Sequence, residues 1–437
     1  MNTEDFLKAD LNRRQFLGSS AANAAGMAAG MVGLSGATAA VKSSPGERVS
    51  LGVIGIRGQG KFLASSMAKF ADADVVAVCD VDKSLLPIAS KAVESNQGRA
   101  PRLEQDFRRL LDDPSIDAVV IAAPDHWHAL MTIMACQAGK DVYVEKPISH
   151  NIIEGERMIA AARKYQRIVQ TGIHQRSGSH FQSAIEFVRS GKLGRVNLAK
   201  AWTIHKRKPI GFKHDAPTPD GVDYEMWLGP APKRAFNPNR FHYNWHWFWD
   251  YGTGEMGNWG VHMLDIARWG LGVELPTRVS ASGGKFYLMD DQQTPDTHLV
   301  QYDFSDKRIT WEHRLWSSHG TEGRSAAAAF YGDQGTLVVD RSGWKVYDLK
   351  ESITSDSSEQ ARTHHRNFID CIKSRQAPTS NIEIGHITSV LCHLGNISYR
   401  LGREITFDPQ QRNFGSDSEA NVLLGREYSK KWQLPEV

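Results

Sequence analysis

The amino-acid sequence predicts an α/β protein with two domains, an N-terminal doubly wound parallel sheet and a C-terminal domain that is rich in strands. Its 437 residues are enough for about two or three domains at roughly 150 residues each. From residue 46 to 171, short apolar runs alternate with stretches of helical composition, which is typical of a parallel sheet flanked by helices. Beyond residue 172 this alternation fades. We therefore place the two domains at 46–171 and 172–437.

Composition and charge exclude several classes of protein. With 41% hydrophobic and 23% charged residues, the chain has the composition of a folded protein and not of a disordered or filamentous one. Its net charge of +3 lacks the basic excess of a nucleic-acid-binding protein, so we expect no nucleic-acid partner. The four cysteines are far apart, without CxxC spacing, and lie in apolar segments. They predict four buried free thiols.

The first 39 residues predict an export signal. Arg13 and Arg14 precede a weakly apolar stretch at 21–34 and small residues at 37–39, an arrangement that resembles a twin-arginine signal. A disordered amphipathic leader is the alternative. The stretch is too short and too rich in glycine for a membrane span of about 20 residues, and it has no cysteine for a lipid anchor. We expect the twin-arginine export machinery as a partner, cleavage near Ala39, a periplasmic location and no stable membrane anchor.

A glycine-rich turn follows the first predicted strand of the mature chain. The apolar run 49–54 ends at Gly55, and helical composition begins near Lys61, so Gly55, Gly58 and Gly60 lie at a strand-to-helix turn. This is the context of the GxGxxG motif of a Rossmann fold. Arg57 replaces the middle glycine of the motif. Gly58 can supply the close approach to a pyrophosphate, which the N-terminus of the helix favours.

An acidic residue at the end of the second strand predicts the cofactor. The run 74–79 ends at Asp80, 25 residues after Gly55, close to the spacing of the ribose-binding acid in dinucleotide sites. A carboxylate there accepts hydrogen bonds from ribose hydroxyls and repels the extra phosphate of NADP. The sequence therefore predicts NAD, with NADP less favoured. A solvated loop aspartate is the alternative.

The remaining elements follow in order. In the first domain, strands are predicted at 118–122 and 142–144, and helices at 61–70, 127–137 and 152–165. In the second domain, strands are predicted at 196–204, 277–282, 298–303 and 308–313, and helices at 363–374 and 384–401. An irregular segment rich in proline and tryptophan spans roughly residues 206–252. There is no internal repeat.

Several motifs together resemble the Gfo/Idh/MocA oxidoreductase family. They are APDHWH at 123–128, AGK at 138–140, EKP at 145–147, GIHQR at 172–176, GKLGRV at 191–196 and GEMGNWGVHMLD at 254–265. The resemblance covers nearly the whole mature chain. It implies a Rossmann domain followed by an α/β domain with an open, mainly antiparallel sheet. It also implies that the protein forms a homo-oligomer through the far face of that sheet.

The resemblance and the residues together nominate three catalytic groups. Lys146 follows a predicted parallel strand at its carboxyl end, where ligands bind in doubly wound sheets. A partly desolvated ammonium there can stabilise alkoxide character as a hydride leaves carbon. In the family this lysine acts with an Asp-x-x-x-His pair on one helix, and here those positions are Asn258 and His262. Residues four apart share a helix face, so both can face Lys146, with His262 as the general acid/base.

Two points about this helix stay open. Asn258 cannot share a proton, which puts the family's usual relay in doubt. Asp265 either orients His262 or has a packing role. For Lys146, an ion pair with Glu145 is the structural alternative.

Residues 240–251 contain the highest density of aromatic side chains in the chain. Aromatic faces suit the C–H surfaces of carbohydrates, and the polar side chains among them can bind hydroxyls. A domain or subunit interface is the alternative. A metal site on His242 and His246 fits the spacing, but it lacks nearby acids or cysteines, so we expect no metal.

These arguments give a set of candidate site residues. Candidate substrate-binding residues are Lys146, His246, Trp247, Asp250, Asn258 and His262. Candidate cofactor-binding residues are Gly55, Arg57, Gly58, Gly60, Asp80, Pro124, His128, Glu145, Lys146, Gln175 and Arg176.

Three classes of function fit these candidates. The leading one is an enzyme that oxidises or reduces a sugar, sugar acid or polyol by hydride transfer with NAD(H). The second cleaves a glycoside through transient NAD-dependent oxidation, and the third is a non-catalytic regulator. Lys146 and His262 are both present, which disfavours the regulator. Free NAD is scarce outside the cytoplasm, so we expect an exported enzyme to hold its cofactor tightly and regenerate it in each cycle.

Overall fold

The structure is a computed structural model that describes residues 48–349, 351–355 and 357–437, with the side chains of residues 357 and 358 left aside. The predicted export signal at 1–39 lies outside the described residues. Within them, the chain forms two sheets, of six and nine strands.

The first sheet is entirely parallel, and its strand order is β3-β2-β1-β4-β5-β6. This is the order of a dinucleotide-binding doubly wound fold, so the predicted fold of the first domain is confirmed. The strands are β1 (Val49–Ile54), β2 (Ala73–Cys79), β3 (Arg102–Glu104), β4 (Ala118–Ile121), β5 (Asp141–Val144) and β6 (Val169–Thr171).

Five helices connect these strands. Their bounds are α1 (Gln59–Met67), α2 (Leu86–Gln97), α3 (Arg108–Leu111), α4 (Asp125–Gln137) and α5 (Ile152–Lys164). Strands β4 and β5 are buried along their whole length, as expected for a parallel sheet covered on both faces. The predicted helices are found within three residues of their expected bounds. Helix α5 begins where Asn151 accepts a hydrogen bond from the Glu154 N–H, a typical N-cap.

The second sheet is open and mainly antiparallel, as expected. Its order is β14-β13-β12-β11-β7-β10-β9-β8-β15. Among the described strands of this second sheet, only the β7–β10 pair is parallel. The strands are β7 (Val196–Ile204), β8 (Arg278–Gly284), β9 (Thr297–Asp303), β10 (Arg308–Arg314), β11 (Ala326–Gly332), β12 (Gly335–Asp340), β13 (Gly343–Val346), β14 (Ser352–Thr354) and β15 (Ile405–Thr406).

One face of the second sheet packs on helices and forms the largest apolar core. The alternating burial of β9 and β10 shows that the two faces of the sheet have different environments. The helices of this half are α6 (Ser179–Arg189), α7 (Tyr224–Leu228), α8 (Val261–Leu271), α9 (Ser357–Ser374), α10 (Ile382–Leu401) and α11 (Ser418–Val422). The segment between β7 and α8 is largely irregular, as predicted.

Helix α9 leaves the second half of the chain and packs on the first sheet. Phe368, Ile369 and Ile372 are buried in the same apolar cluster as β1 and β2. Arg366 forms an ion pair with Asp72, with N–O distances of 2.6 and 3.1 Å. The core of the dinucleotide domain therefore includes residues from far beyond the predicted boundary at residue 171.

All four cysteines are free and buried, as expected. Among the described helices, none combines the length and the apolar character needed to cross a membrane.

Candidate active site

A cleft with a volume of about 440 Å³ opens at the carboxyl ends of β1, β2, β4 and β5. Ligands bind at this edge in doubly wound sheets, because the glycine turn and the helix N-termini meet there. The irregular segment between β7 and α8 covers the opposite side of the cleft. Its lining includes Phe241, His242, Tyr243, Trp245 and His246.

The glycine turn after β1 leaves room for a ligand. Gly55 has a φ of +79°, and a Cβ atom there would lie 2.7 Å from the Ala122 carbonyl oxygen, so a larger residue is excluded. A Cβ on Gly60 would lie 1.7 Å from the Gly55 carbonyl oxygen. A Cβ on Gly58 would meet no atom within 4 Å. Gly55 and Gly58 line the cleft with Arg57, whereas Gly60 allows α1 to pack against the turn and does not line the cleft.

Asp80 lies directly after β2 and lines the same cleft. Its two carboxylate oxygens accept hydrogen bonds from the backbone N–H groups of Ile56 (2.8 Å) and Asp82 (3.0 Å). Burial raises its pKa to about 6. The carboxylate is fixed beside the glycine turn and has lone pairs left for ribose hydroxyls. The open turn at Gly58 and this fixed acceptor fit a dinucleotide.

Lys146 and Asn258 are in direct contact, as the sequence predicts. The Lys146 Nζ donates hydrogen bonds to the Asn258 carbonyl oxygen (3.0 Å) and to its Oδ1 (3.4 Å). Asn258 lies on a π-helical turn, Met256–Gly260, that leads into α8, not on a regular α-helix. The Asn258 Nδ2 donates to Glu255 Oε2 at 3.2 Å, and Glu255 is itself paired with Arg207 at 2.9 Å. This chain of contacts fixes the position of the Asn258 amide.

Burial shifts the pKa values of the groups around Lys146. It lowers the pKa of Lys146, against the attraction of Glu145 and Asp125. It raises the pKa of Glu145, whose Oε1 accepts a hydrogen bond from Gln59 at 2.9 Å. It also raises the pKa of Asp125 to about 7. Glu145 and Lys146 both line the cleft, and desolvation is the common cause of these shifts.

His262 lines the cleft beside a second histidine, His174. Their ring centroids are 5.2 Å apart. Burial and the positive charges of Arg341 and Lys146 lower the pKa of His262 well below its usual value, and His174 shows the same shift. Both rings are therefore neutral at neutral pH. The Nδ1 of His262 is buried without a hydrogen-bond partner among the described residues.

The structure places Gln175 and Arg176, predicted to bind the cofactor, away from the cleft. Arg176 forms a buried ion pair with Asp265, with N–O distances of 2.7 and 2.9 Å, and the Gln175 amide faces Met263. Residues 174–177 form a 3-10 turn, so that His174 points into the cleft and its neighbours do not. Asp265 contacts Arg176, Arg268 and Thr388, which supports its packing role.

Most of the aromatic segment packs into its own apolar cluster, so those side chains are used in core packing. Trp247 and Asp250, predicted to bind substrate, do not line the cleft. Trp247 packs under the Arg207 guanidinium, and Asp250 pairs with Arg234 at 2.7 Å. His246 does line the cleft, with its Nδ1 beside the Tyr243 carbonyl oxygen.

His242, the other half of the possible metal site, contacts Asp82 through its Nε2 at 2.9 Å. No group of three or more potential metal ligands occurs in the part of the chain that the structure describes.

Pro124 and His128 line the cleft at the start of α4. The two ring nitrogens of His128 lie 2.7 and 2.8 Å from the carbonyl oxygens of Pro147 and Ala123. A neutral imidazole has one N–H, so one of these contacts is a hydrogen bond at a time. His128 therefore positions the backbone on either side of the cleft.

The lining residues near Lys146 that the sequence analysis missed include His174, Trp259 and Arg341. His174 belongs to the GIHQR motif at 172–176, from which Gln175 and Arg176 were nominated instead. Trp259 is adjacent to Asn258 and could have been found on the same turn. Arg341 lies on the turn between β12 and β13, and no sequence signal connects it with the cleft.

Comparison with known proteins agrees with this geometry. The family model for the NAD-binding Rossmann fold of the Gfo/Idh/MocA oxidoreductases matches residues 49–173, and the model for their C-terminal alpha/beta domain matches residues 202–434. The chain belongs to the Gfo/Idh/MocA oxidoreductase family. The first domain of this family member is thus an NAD-binding Rossmann fold.

Individual Gfo/Idh/MocA relatives are distant. The chain is 29% identical over 150 residues to a myo-inositol 2-dehydrogenase of Thermotoga maritima, covering 34% of this chain and 43% of that protein. It is 24% identical over 214 residues to an alpha-N-acetylgalactosaminidase of Shewanella oneidensis, covering 45% and 47%. The chain spans about half the length of the curated relatives it matches.

A solved structure within the same fold is levoglucosan dehydrogenase in complex with NADH and levoglucosan. It superposes with a TM-score of 0.64 at 16% identity, and the match covers 82% of this chain and 99% of that one. This likeness supports the two-domain fold of the Gfo/Idh/MocA member described here.

Proposed function

We propose that the protein is an NAD-dependent oxidoreductase that transfers a hydride to or from a hydroxyl-bearing carbon of a carbohydrate or polyol. The observation that carries this proposal is the position of Lys146, Asn258 and His262 on one cleft with the glycine turn and Asp80. The relatives and the solved structure named above include enzymes of inositol and levoglucosan, which supports a polyhydroxylated substrate.

Residues at the two ends of the cleft have different roles. Gly55, Gly58 and Asp80 would hold the dinucleotide, and Asp80 supports NAD over NADP. NAD, when bound, supplies the hydride acceptor. At the other end, the Lys146 ammonium has one N–H left after its two contacts with Asn258 and donates it to the substrate oxygen. That hydrogen bond stabilises the negative charge that develops on the oxygen during oxidation.

The neutral His262 receives the hydroxyl proton as general base. Its ring lies on the cleft beside His174. Because burial, and after it the nearby cations, lower its pKa, it is a weak base in the free enzyme, and neutralising those cations would raise its basicity. The Asn258 amide does not exchange protons. Its Oδ1 accepts a hydrogen bond from the Lys146 Nζ and so orients the ammonium.

We also propose that the enzyme is exported and works with retained cofactor. Arg13, Arg14 and the small residues up to Ala39 support twin-arginine export to the periplasm. That route carries folded proteins. An enzyme that keeps its NAD must return the hydride within each cycle, either to a second carbonyl substrate or to the same molecule.

Redox-neutral glycoside cleavage is the second candidate. It fits the same cleft, consumes no NAD and is favoured by the similarity to the alpha-N-acetylgalactosaminidase. The two candidates differ in product, because cleavage releases an aglycone without net NADH.

Purified protein tests the proposal directly. Bound dinucleotide is identified by absorbance and mass spectrometry, and sugars, sugar acids, polyols and aryl glycosides are then screened for turnover. We expect Lys146→Ala and His262→Ala to lower kcat at least about 100-fold with an unchanged melting temperature. Near-normal turnover in either variant removes that residue from the mechanism.

A further inference from the structure

A single arginine from the second sheet reaches the catalytic end of the cleft. Arg341 lies on the turn between β12 and β13 and lines the cleft together with Lys146 and His262. Its guanidinium carbon lies 4.5 Å from the centre of the Trp259 ring. Trp259 is the neighbour of Asn258, so the stacking orients the guanidinium at the end of the cleft where hydride transfer is proposed.

The Arg341 guanidinium has no acidic partner among the described residues. It forms no ion pair or hydrogen bond with any residue that the structure describes, and its Nε is buried without a partner. The adjacent carboxylate does not neutralise it: Asp340 pairs with Arg324 at 2.6 Å and accepts a hydrogen bond from the Ser342 N–H. By contrast Arg207, which is also partly buried but lies outside the cleft lining, pairs with Glu255 at 2.9 Å.

The charges at this end of the cleft are unbalanced. Lys146 and Arg341 are cationic groups, and His174 and His262 are neutral. Of the nearby acids, Glu145 and Asp125 attract Lys146, and Glu255 is occupied by Arg207. Arg341 is therefore the cation that is left without an acid among the described residues. Burial without a partner lowers even the pKa of Arg341, to about 10. An uncompensated buried cation is costly, and an arriving anion removes that cost.

We propose that Arg341 binds a carboxylate of the substrate, so that the substrate is a sugar acid and not a neutral sugar or polyol. A planar guanidinium matches a carboxylate with two parallel hydrogen bonds. Lys146 is assigned to the reacting oxygen. Arg341 is therefore the cation that remains to bind a charged group of the substrate, and its single positive charge matches a single negative charge. This favours a carboxylate over a phosphate dianion. The inference rests on the proposed function for the identity of the reacting end.

The bound carboxylate also affects the general base. After burial, the positive charge of Arg341 has the largest effect in lowering the pKa of His262. When a carboxylate neutralises it, His262 becomes a stronger base. The anionic substrate therefore prepares the site for its own oxidation, and a neutral sugar does not.

Binding to the NADH-loaded enzyme tests the inference without turnover. Titration calorimetry measures dissociation constants of the gluco-, galacto- and manno-configured uronates, each against its neutral hexose and its hexose 6-phosphate. We expect at least one uronate to bind tenfold or more tightly than its hexose. Arg341→Gln should weaken that uronate by at least about 30-fold, the scale for removing one partner of a desolvated charge pair, and change the hexose less than threefold. Arg341→Lys should give an intermediate loss.

Lys345→Gln is the matched control, because it removes a positive charge from the same hairpin at an exposed position outside the cleft. Its constants should equal those of the unaltered protein. Equal binding of every uronate and its hexose would overturn the inference, as would an unchanged constant in Arg341→Gln, or Arg341-dependent binding of the phosphates alone.

The two proposals fail separately. Uronates that bind through Arg341 but are never oxidised would leave this inference standing without the oxidoreductase. If neutral hexoses are oxidised and uronates bind no more tightly than hexoses, the oxidoreductase proposal stands and the carboxylate inference fails.

Discussion

Asn258 uses both ends of its amide. Its Oδ1 accepts a hydrogen bond from Lys146, and its Nδ2 donates one to Glu255. An aspartate at this position could accept from Lys146 but would bring a second carboxylate against Glu255. The asparagine that departs from the family pattern is therefore matched to an acid three residues earlier, and its neighbour explains the departure.

Asn258→Asp should shift the pH dependence of activity. A carboxylate about 3.4 Å from the Lys146 Nζ favours the ammonium and counteracts the burial that lowers its pKa. Because the proposed role of Lys146 requires the charged form, the alkaline limb of kcat/KM should move up by about one pH unit. Asn258→Ala is the control and should not move it upward. A downward or absent shift in Asn258→Asp would contradict the proposed contact.

Asp80 makes NAD binding depend on pH. Its pKa of about 6 in the folded protein means that the carboxylate gains a proton as the pH falls through 6. The charged form accepts the ribose hydrogen bonds, so the NAD dissociation constant should be flat above pH 7 and rise below 6, by up to about tenfold per unit. Fluorescence titration of the apoprotein measures this.

Asp80→Asn should remove that pH dependence and weaken NAD binding about tenfold or more. Asp106→Asn is the control at a half-buried acid near the same sheet edge that does not line the cleft. Tighter binding of NADP than NAD to the unaltered protein would overturn the cofactor assignment.

The irregular segment between β7 and α8 is hydrogen-bonded to the first domain near the end of the cleft that is proposed to hold the dinucleotide. Residues 221–223 run beside the loop after β2, where the Lys83 N–H donates to the Gly221 carbonyl at 3.1 Å and the Asp223 N–H to that of Val81 at 2.9 Å. His242 adds its contact with Asp82. These contacts close the cleft beside Asp80, and they support slow release of a bound dinucleotide.

His242→Ala should speed NAD release at least about tenfold, because it removes a partly buried contact between the segment and Asp82. The protein is loaded with labelled NAD, turned over in excess unlabelled NAD, and the bound dinucleotide is recovered after denaturation. The unaltered protein should keep its label through many turnovers. His214→Ala, an exposed histidine of the same segment, is the control. Loss of label from the unaltered protein at the turnover rate would refute retention.

At this scale the sequence predicts strongly periodic elements well and short ones poorly. Strands β1, β4 and β5 are short, mainly apolar runs that are followed within three residues by a glycine or proline, and β2 is a similar run that ends at Asp80. Strand β11 begins with the alanine run 326–329, which has weak strand propensity, so its place between β7 and β12 comes from tertiary packing. Arg341 could not be predicted for a related reason. It lies on the turn between β12 and β13, and the packing of the whole second sheet decides that this turn lies beside the cleft.

Across the whole molecule, α9 joins the two halves of the chain. Phe368 is fully buried against Tyr143 of β5, with ring centroids 5.7 Å apart. Phe368→Ala should destabilise the protein by about 3–5 kcal/mol through the cavity it leaves, and NAD affinity should fall because the first sheet loses support. Thermal and urea unfolding measure the loss. Arg362→Ala, exposed on the same helix, should be neutral, and equal stability of both variants would show that α9 is dispensable.

The return of α9 also has a consequence for biosynthesis. As the chain leaves the ribosome, the residues of β1 to β6 emerge first. The apolar core on one side of their sheet is covered in part by α1 and α2, and it stays incomplete until Phe368, Ile369 and Ile372 have been made. A nascent dinucleotide domain must wait, with apolar surface exposed, while most of the second half is translated. Completion of the core beneath the NAD site thereby depends on residues that are made late in translation.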